Sequence, residues 1–370
     1  MPMNGMRVAF LCSADSFRGS AVSLLHLAQG LASRSAAVRI LTGSDEVAGP
    51  LRAEGVDVAQ LDLSSTSWRT ARALRAELAA FDAEVLIVDR PRDLRLGLLA
   101  TVGSKVALVN RYNSHAPRPP RDFLSRLAYR FRVCDTIFLT HEMARQVLAR
   151  APWMRRAAHR VIPEGVCDHQ FRPDAREAAA FRARHGLGDE PFLLAVGALT
   201  REKRGEFLID AVRSVPDAPT LVFCGEGPLQ ESLAAQAELL GVKVCFLGLL
   251  PRAKLRGAYS AAAVLVHACA VETFGLSVLE AMACGCAVVG ARAGGLLEVV
   301  GSDGTAGLLV DADDPGGMAL AVNSLLVDAE LAGRVRTAAR QRAQSRFALS
   351  RMSEGYERAV LGAWMLPLYS

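Results

Sequence analysis

Val264-Leu265-Val266-His267-Ala268, Cys269-Ala270-Val271-Glu272-Thr273-Phe274-Gly275 and Leu276-Ser277-Val278-Leu279-Glu280-Ala281-Met282-Ala283-Cys284-Gly285 follow one another without a break. The first five residues are an apolar run rich in β-branched side chains and predict a strand. A loop ending in glycine leads into a helix over Leu276–Ala283, which Gly285 stops. A strand feeding directly into a helix is the repeating unit of a parallel sheet. At such a junction the helix start exposes unpaired N–H groups and the positive end of its macrodipole, which together attract phosphate, and Gly275 allows close backbone approach.

The same alternation extends outward from this stretch. Strands are predicted at Phe192–Val196, Leu221–Cys224, Lys243–Leu247 and Ala287–Gly290, and earlier at Val8–Cys12, Val38–Thr42, Val85–Asp89, Val106–Asn110 and Thr136–Leu139. Between the first two strands, Leu24, Leu27, Ala28 and Leu31 recur at helical spacing. Residues 162–187 carry Pro163, Gly165, Pro173 and Gly186 and read as a linker. The expected fold is α/β: two tandem Rossmann-like, doubly wound parallel-sheet domains facing across a cleft, over residues 1–170 and 171–350. Residues 351–370 form a last helix that packs back on the first domain. Ligands of such sheets bind beyond the carboxyl ends of the strands, so the site is expected between the halves.

Composition narrows the function. A chain of 370 residues, 51% hydrophobic, buries a large core and is neither disordered nor fibrous. Its net charge of +5 suits anionic substrates but lacks the dense basic stripe of a nucleic-acid binder. Eight cysteines are scattered through apolar runs and read as buried thiols in a reducing compartment. Cys284 and Cys286 have no second pair at metal-ligand spacing, and Asp311-Ala312-Asp313 reads as a polar turn, so no metal and no resident cofactor are expected. No leader and no membrane-length apolar run is legible, which predicts a cytoplasmic protein. Cys12-Ser13-Ala14-Asp15-Ser16 lacks the glycine spacing of a dinucleotide-binding turn, which argues against a dehydrogenase.

Glu272 and Glu280 are the candidate ligand-binding acids. Carboxylates accept pairs of hydroxyl donors, so Glu272 suits a sugar hydroxyl and Glu280 a ribose diol. Ser277 to Glu280 also has capping-box spacing, in which the glutamate only closes the helix start. The stretch Glu272 to Gly285, with Gly294-Gly295 and Glu298 following, resembles the paired-glutamate motif of the retaining glycosyltransferases of family 4, which have the two-Rossmann-domain GT-B architecture. Cys224-Gly225-Glu226-Gly227-Pro228, Phe246-Leu247-Gly248, Gly307 to Val310 and Val161 to Val166 extend the resemblance across nearly all of the second half.

The resemblance implies that a sugar moves, with retention and without metal, from a nucleotide diphosphate sugar to an acceptor, UDP being the favoured nucleotide. It implies donor contacts from Gly19, Lys203, Gly225, Leu249, Glu272, Thr273, Phe274, Gly275, Leu276 and Glu280, with Lys203 and Glu272 also catalytic. The family arginine after the first glycine of Gly197-Ala198 is missing here, and Arg201 or Arg204 takes its place. A family histidine near the reacting sugar is also missing, and Arg111 or His115 replaces it. Arg90, Arg92, Arg95, Arg111, Arg118 and Arg121 are expected on one rim, suiting an anionic or lipid-linked acceptor. The basic amphipathic stretch from Arg121 to Arg132 is either a surface helix or a peripheral membrane contact. A nucleotide-sugar epimerase and a non-catalytic binding protein with a degenerate site remain as alternatives.

Overall fold

The computed structural model describes residues 3, 5–17, 19–113 and 122–366 and divides into two units, residues 1–165 with 349–370 and residues 166–348. The first contains a seven-stranded parallel sheet. Its strands are β1 (Arg7–Cys12), β2 (Ala37–Thr42), β3 (Asp57–Gln60), β4 (Val85–Val88), β5 (Ala107–Tyr112), β6 (Val133–Phe138) and β7 (Ala158–Val161). Their spatial order is β3-β2-β1-β4-β5-β6-β7. The connecting helices are α1 (Gly19–Ala32), α2 (Asp45–Ala53), α3 (Trp68–Ala80), α4 (Pro91–Thr101), α5 (Phe123–Phe131) and α6 (His141–Arg150).

Because successive side chains of a strand point to opposite faces, β1 feeds two cores. Val8, Phe10 and Cys12 join one cluster and Ala9 and Leu11 the other. Both faces are therefore dry, which is why the central strands read as unbroken apolar runs. The stripe Leu24, Leu27, Ala28 and Leu31 of α1 packs in the first cluster. Each such leucine contributes about 1.5–3 kcal/mol by leaving water.

The second unit begins with α7 (Ala175–His185), which lies inside the stretch expected as linker. Asp174 caps it by accepting the Glu177 N–H at 3.0 Å, and Gly186 closes it in the left-handed conformation. Pro173 and Gly186 are thus the start and stop signals of a helix rather than loop punctuation. Six parallel strands follow: β8 (Phe192–Val196), β9 (Thr220–Cys224), β10 (Val244–Phe246), β11 (Val264–His267), β12 (Ala287–Ala291) and β13 (Leu308–Val310). Their order is β10-β9-β8-β11-β12-β13. The helices are α8 (Gly205–Arg213), α9 (Gln230–Leu240), α10 (Arg252–Ala261), α11 (Leu276–Ala283), α12 (Leu296–Val299), α13 (Pro315–Val327) and α14 (Ala329–Arg346).

The last helix, α15 (Leu349–Met365), belongs to the first unit, where Met352, Tyr356, Ala359, Val360 and Ala363 join the cluster around α1 and β1. All eight cysteines are free thiols, five of them buried. Among the described residues no helix is long and apolar enough to cross a membrane.

Candidate active site

In a doubly wound sheet a ligand crevice opens where the strand order reverses. In the second unit that point lies between β8 and β11. The loop after β8 supplies Lys203 and the loop after β11 supplies Glu272, whose carboxylate accepts from the Lys203 ammonium at 2.6 Å. His267, the last residue of β11, places Nε2 3.0 Å from the same oxygen. Burial pushes the Glu272 carboxyl up, but the His267 contact and the Lys203 charge outweigh it and hold the group well below the usual carboxylate range. Burial likewise works against the Lys203 charge, and Glu272 more than restores it, raising the lysine's pKa. A recess lined in part by Gly197, Ala198, Lys203, Phe223 and His267 opens beside the pair.

The loops that hold this pair depend on glycine at two places. Gly225, at φ 149°, lets the turn after β9 lie against the loop that leads to Lys203; a Cβ there would sit 1.9 Å from the Gly197 carbonyl oxygen. Gly294 and Gly295 pass so close to the Glu272 loop that added Cβ atoms would fall within 2.2–2.5 Å of its backbone, and the Gly295 N–H donates to the Glu272 carbonyl at 2.9 Å. Helix α11 starts at Gly275, and no side chain caps its first turn. Its terminal N–H groups and dipole therefore remain available to an anion.

His267, Cys269 and Glu272 bring their ligating atoms within 4.8 Å of one another. The set is a poor cation cage, because the Lys203 ammonium already occupies Glu272 and burial raises the Cys269 thiol above its ordinary value.

Residues 177–342 match the family model described as glycosyl transferases group 1. A GDP-mannose-dependent alpha-(1-6)-phosphatidylinositol monomannoside mannosyltransferase of Mycolicibacterium smegmatis is 36% identical over 197 residues, covering 50% of this chain and 51% of that protein. The sulfoquinovosyl transferase SQD2 of Arabidopsis thaliana is 29% identical over 279 residues, covering 72% and 54%. The chain spans about half the length of these curated relatives. Among solved structures, Anabaena Alr3699/HepE in complex with UDP and glucose superposes with a TM-score of 0.84 at 20% identity, over 96% of this chain and 99% of that one. Residues 177–342 are a glycosyl transferases group 1 domain.

Within this group 1 domain the two glutamates have separate surroundings. Glu280 is buried in the second turn of α11, where it accepts from the Tyr259 hydroxyl at 2.9 Å. It also forms an ion pair with Arg252 at 2.6 Å, by distance though without the angle of a hydrogen bond. Burial raises its pKa, against the pull of Arg252 and Tyr259. Glu280, expected to contact a ribose, is held by Tyr259 and Arg252 in this structure, and the capping-box alternative fails, since α11 is capped at Gly275 and not at Ser277.

Phe274 is also interior, packed edge-on against Phe347 at 5.8 Å, and Thr273 is buried. Leu276 is half-buried, and Leu249 is exposed with its N–H donated to Glu226 at 3.2 Å. Arg204 turns away from the crevice: it donates to the Ala312 carbonyl and pairs with Asp313 at 2.7 Å. Arg201 is exposed and has no partner among the described residues. Gly19 is exposed at the start of α1, with open space where a side chain would go.

In the first unit Arg111 is completely buried. Its guanidinium donates to Asp89 at 2.9 Å and binds Ser23 and Glu164, with the Tyr356 hydroxyl beside it. Burial opposes the arginine's charge, and Asp89, Tyr356 and Glu164 hold it firmly protonated. A residue so enclosed positions its neighbours; it presents no donor to a ligand. His115, the alternative at this place, lies outside the described residues.

Of the arginines expected on one rim, Arg90 donates to the Ser13 carbonyl at 3.0 Å, Arg92 borders the same loop, Arg95 pairs with Asp122 at 3.3 Å and Arg111 is buried, while Arg118 and Arg121 lie outside the described residues. His267 is the site residue that sequence reasoning passed over. Its signal was positional: it ends the strand that feeds the Glu272 loop.

Proposed function

We propose that the chain is a retaining, metal-independent glycosyltransferase that takes a sugar from a nucleotide diphosphate donor held by the group 1 domain. The observation that carries the reading is the Lys203–Glu272–His267 contact set at the switch point, next to the uncapped start of α11. On donor binding the diphosphate draws the Lys203 ammonium, and Glu272, still bonded to His267, accepts hydroxyls of the sugar. The bond from the anomeric carbon to the diphosphate oxygen breaks, and the acceptor oxygen bonds to that carbon on the same face. The acceptor's proton passes to the departing diphosphate, whose charge Lys203 and the helix terminus stabilise. Neither Glu272 nor Glu280 has a second carboxylate at a recognisable catalytic spacing in the sequence, which favours this front-face route.

UDP is the favoured nucleotide, supported by the UDP bound in the similar Anabaena structure; the mannosyltransferase relative is named for GDP-mannose and makes GDP the alternative. We place the protein in the cytoplasm. Peripheral contact with anionic lipid would run through α5, which exposes Phe123 and Phe131 beside Arg126 and Arg130, and co-sedimentation with anionic vesicles at low salt tests it.

The deciding experiment is turnover of UDP-, GDP-, ADP- and dTDP-sugars in the presence of a chelator. One donor is expected to be consumed, with at least a tenfold loss of rate in Glu272→Ala while the unfolding transition stays cooperative. An unchanged rate in that variant, or activity that disappears on chelation and returns with manganese, refutes the reading.

A further inference from the structure

We infer that Glu272 competes with a free nucleoside diphosphate for the Lys203 ammonium, so that the site holds a sugar-bearing nucleotide and expels the nucleotide once its sugar has gone. The inference rests on the donor reading above and gives the same carboxylate a second role, selection between donor and by-product.

The competition is for one charge. Among the described residues that line the recess, Lys203 is the only lysine or arginine. Arg204 pairs with Asp313 instead. The Lys203 ammonium lies 2.6 Å from Oε2 of Glu272, and the charge of Glu202 acts on it as well. An ammonium has three N–H donors and could reach a carboxylate and a phosphate together, but its single charge cannot neutralise both. A diphosphate bound to Nζ therefore faces the carboxylate already there.

That carboxylate is anchored. His267 holds the same oxygen at 3.0 Å, and Gly294 and Gly295 pack against the backbone of its loop. The contacts that keep its carboxyl well below the usual range also keep it an anion at neutral pH. The Lys203 stem runs past Gly197, where an added Cβ would touch Cγ, Cδ and Cε at 3.6–3.8 Å.

A sugar changes the balance. Its hydroxyls give Glu272 charge-assisted hydrogen bonds to replace the lysine when the diphosphate takes the ammonium. Transfer removes those hydroxyls and uncovers a terminal phosphate, which ionises a second time at about pH 6. The by-product thus brings more negative charge to the same place while Glu272 has lost its substitute donors. The carboxylate then recovers the ammonium, and the nucleotide leaves.

The test is calorimetry on the full chain at neutral pH with UDP and GDP, and in parallel with UDP-glucose and GDP-mannose. The proteins are the wild type, Glu272→Gln, Lys203→Ala and the double variant. Glutamine keeps an acceptor for His267 and removes the charge. Glu272→Gln is expected to bind UDP or GDP at least about tenfold more tightly than the wild type, and the sugar nucleotides no more tightly. With Lys203 replaced by alanine, the same substitution should gain less than about threefold. Damage to the fold does not raise affinity, and a cooperative thermal transition in each variant guards the negative results. Equal or weaker binding of UDP and GDP by Glu272→Gln, an equal gain for the sugar nucleotides, or an undiminished gain without Lys203 overturns the inference. If Lys203→Ala still loses nucleotide affinity in those cases, the donor reading stands alone. If both single variants bind nucleotide as the wild type does, or no nucleotide binds at all, the donor reading falls with the inference.

Discussion

The two sheets share one strand order through six strands, β3-β2-β1-β4-β5-β6 in the first unit and β10-β9-β8-β11-β12-β13 in the second, yet their charges are used in opposite ways. At the second switch point Lys203 and Glu272 are paired beside a recess, the lysine still about a third exposed. In the first unit the ends of β4 and β5 send Asp89 and Arg111 inward, where Glu164 and Ser23 enclose them. The topology supplies a crevice in both places. Side-chain length and the neighbouring elements decide whether the charge there meets a ligand or locks the unit.

The largest effect therefore belongs to the sealed cluster. Arg111→Ala leaves Asp89 and Glu164 buried without their cation, which costs about 3–5 kcal/mol. Urea unfolding is expected to show the midpoint fall by that equivalent. If the midpoint holds while turnover is lost, Arg111 is a ligand contact after all, as the resemblance to family 4 implied, and the contrast between the two switch points breaks.

A second effect tests how dry the first unit is. Burial pushes the Asp93 carboxyl up to about 7, with the Ser13 contact opposing it. An acid raised in the folded state binds more protons there than in the unfolded chain. Asp93 therefore costs nothing below about pH 4, and stability falls as pH rises from about 4 to about 7. Asp93→Asn keeps an acceptor for the Ser13 N–H and removes the ionisation, so it should gain on the wild type across that window, by on the order of 3–4 kcal/mol at its top. Parallel stability curves for the two proteins from pH 4 to 8 would show that Asp93 is hydrated.

The pattern of these sites shows what the sequence could carry. Central strands such as Val85–Val88 and Phe192–Val196 were legible because burial on both faces forces an unbroken apolar run. The edge strands Asp57–Gln60 and Ala158–Val161 were not, since each has a partner on one side only and keeps polar residues such as Gln60 and Arg160. Helix α7 was hidden by reading its cap residues as a loop.

At the site, Lys203 and Glu272 could be named from spacing and resemblance, and the structure brings them together. The partners of Glu280 could not, because Arg252 and Tyr259 lie 28 and 21 residues away and meet it only through tertiary packing. The enclosure of Arg111 needed Ser23, Glu164 and Tyr356, drawn from distant parts of the chain.

On the open side, Lys203→Ala should weaken nucleoside diphosphate affinity about 10–100-fold, equivalent to about 1.4–2.7 kcal/mol. Stability should change by about 1 kcal/mol or less, because the ammonium keeps contact with water and its loss leaves His267 on Glu272. Isothermal titration with UDP and GDP reads the first quantity and thermal unfolding the second. A variant that binds nucleotide as the wild type does would move the anion site away from the β8–β11 crevice.

The smallest effect concerns the residue next in sequence. Arg204 follows Lys203 but sits at φ 55°, and the reversal of the chain there carries its guanidinium over Phe207 at 4.6 Å to Ala312 and Asp313. Asp313 is almost fully exposed, so the pair is worth under about 1 kcal/mol. Arg204→Ala should leave nucleotide affinity within about twofold and stability within about 1 kcal/mol. A tenfold loss of affinity instead would mean that the guanidinium exchanges Asp313 for the diphosphate when donor enters, and would make Arg204, rather than Arg201, the replacement for the family arginine absent at Ala198. The exposed partner makes that exchange cheap, and this neighbouring pair of cations is therefore where the division between ligand-facing and structural charge is easiest to overturn.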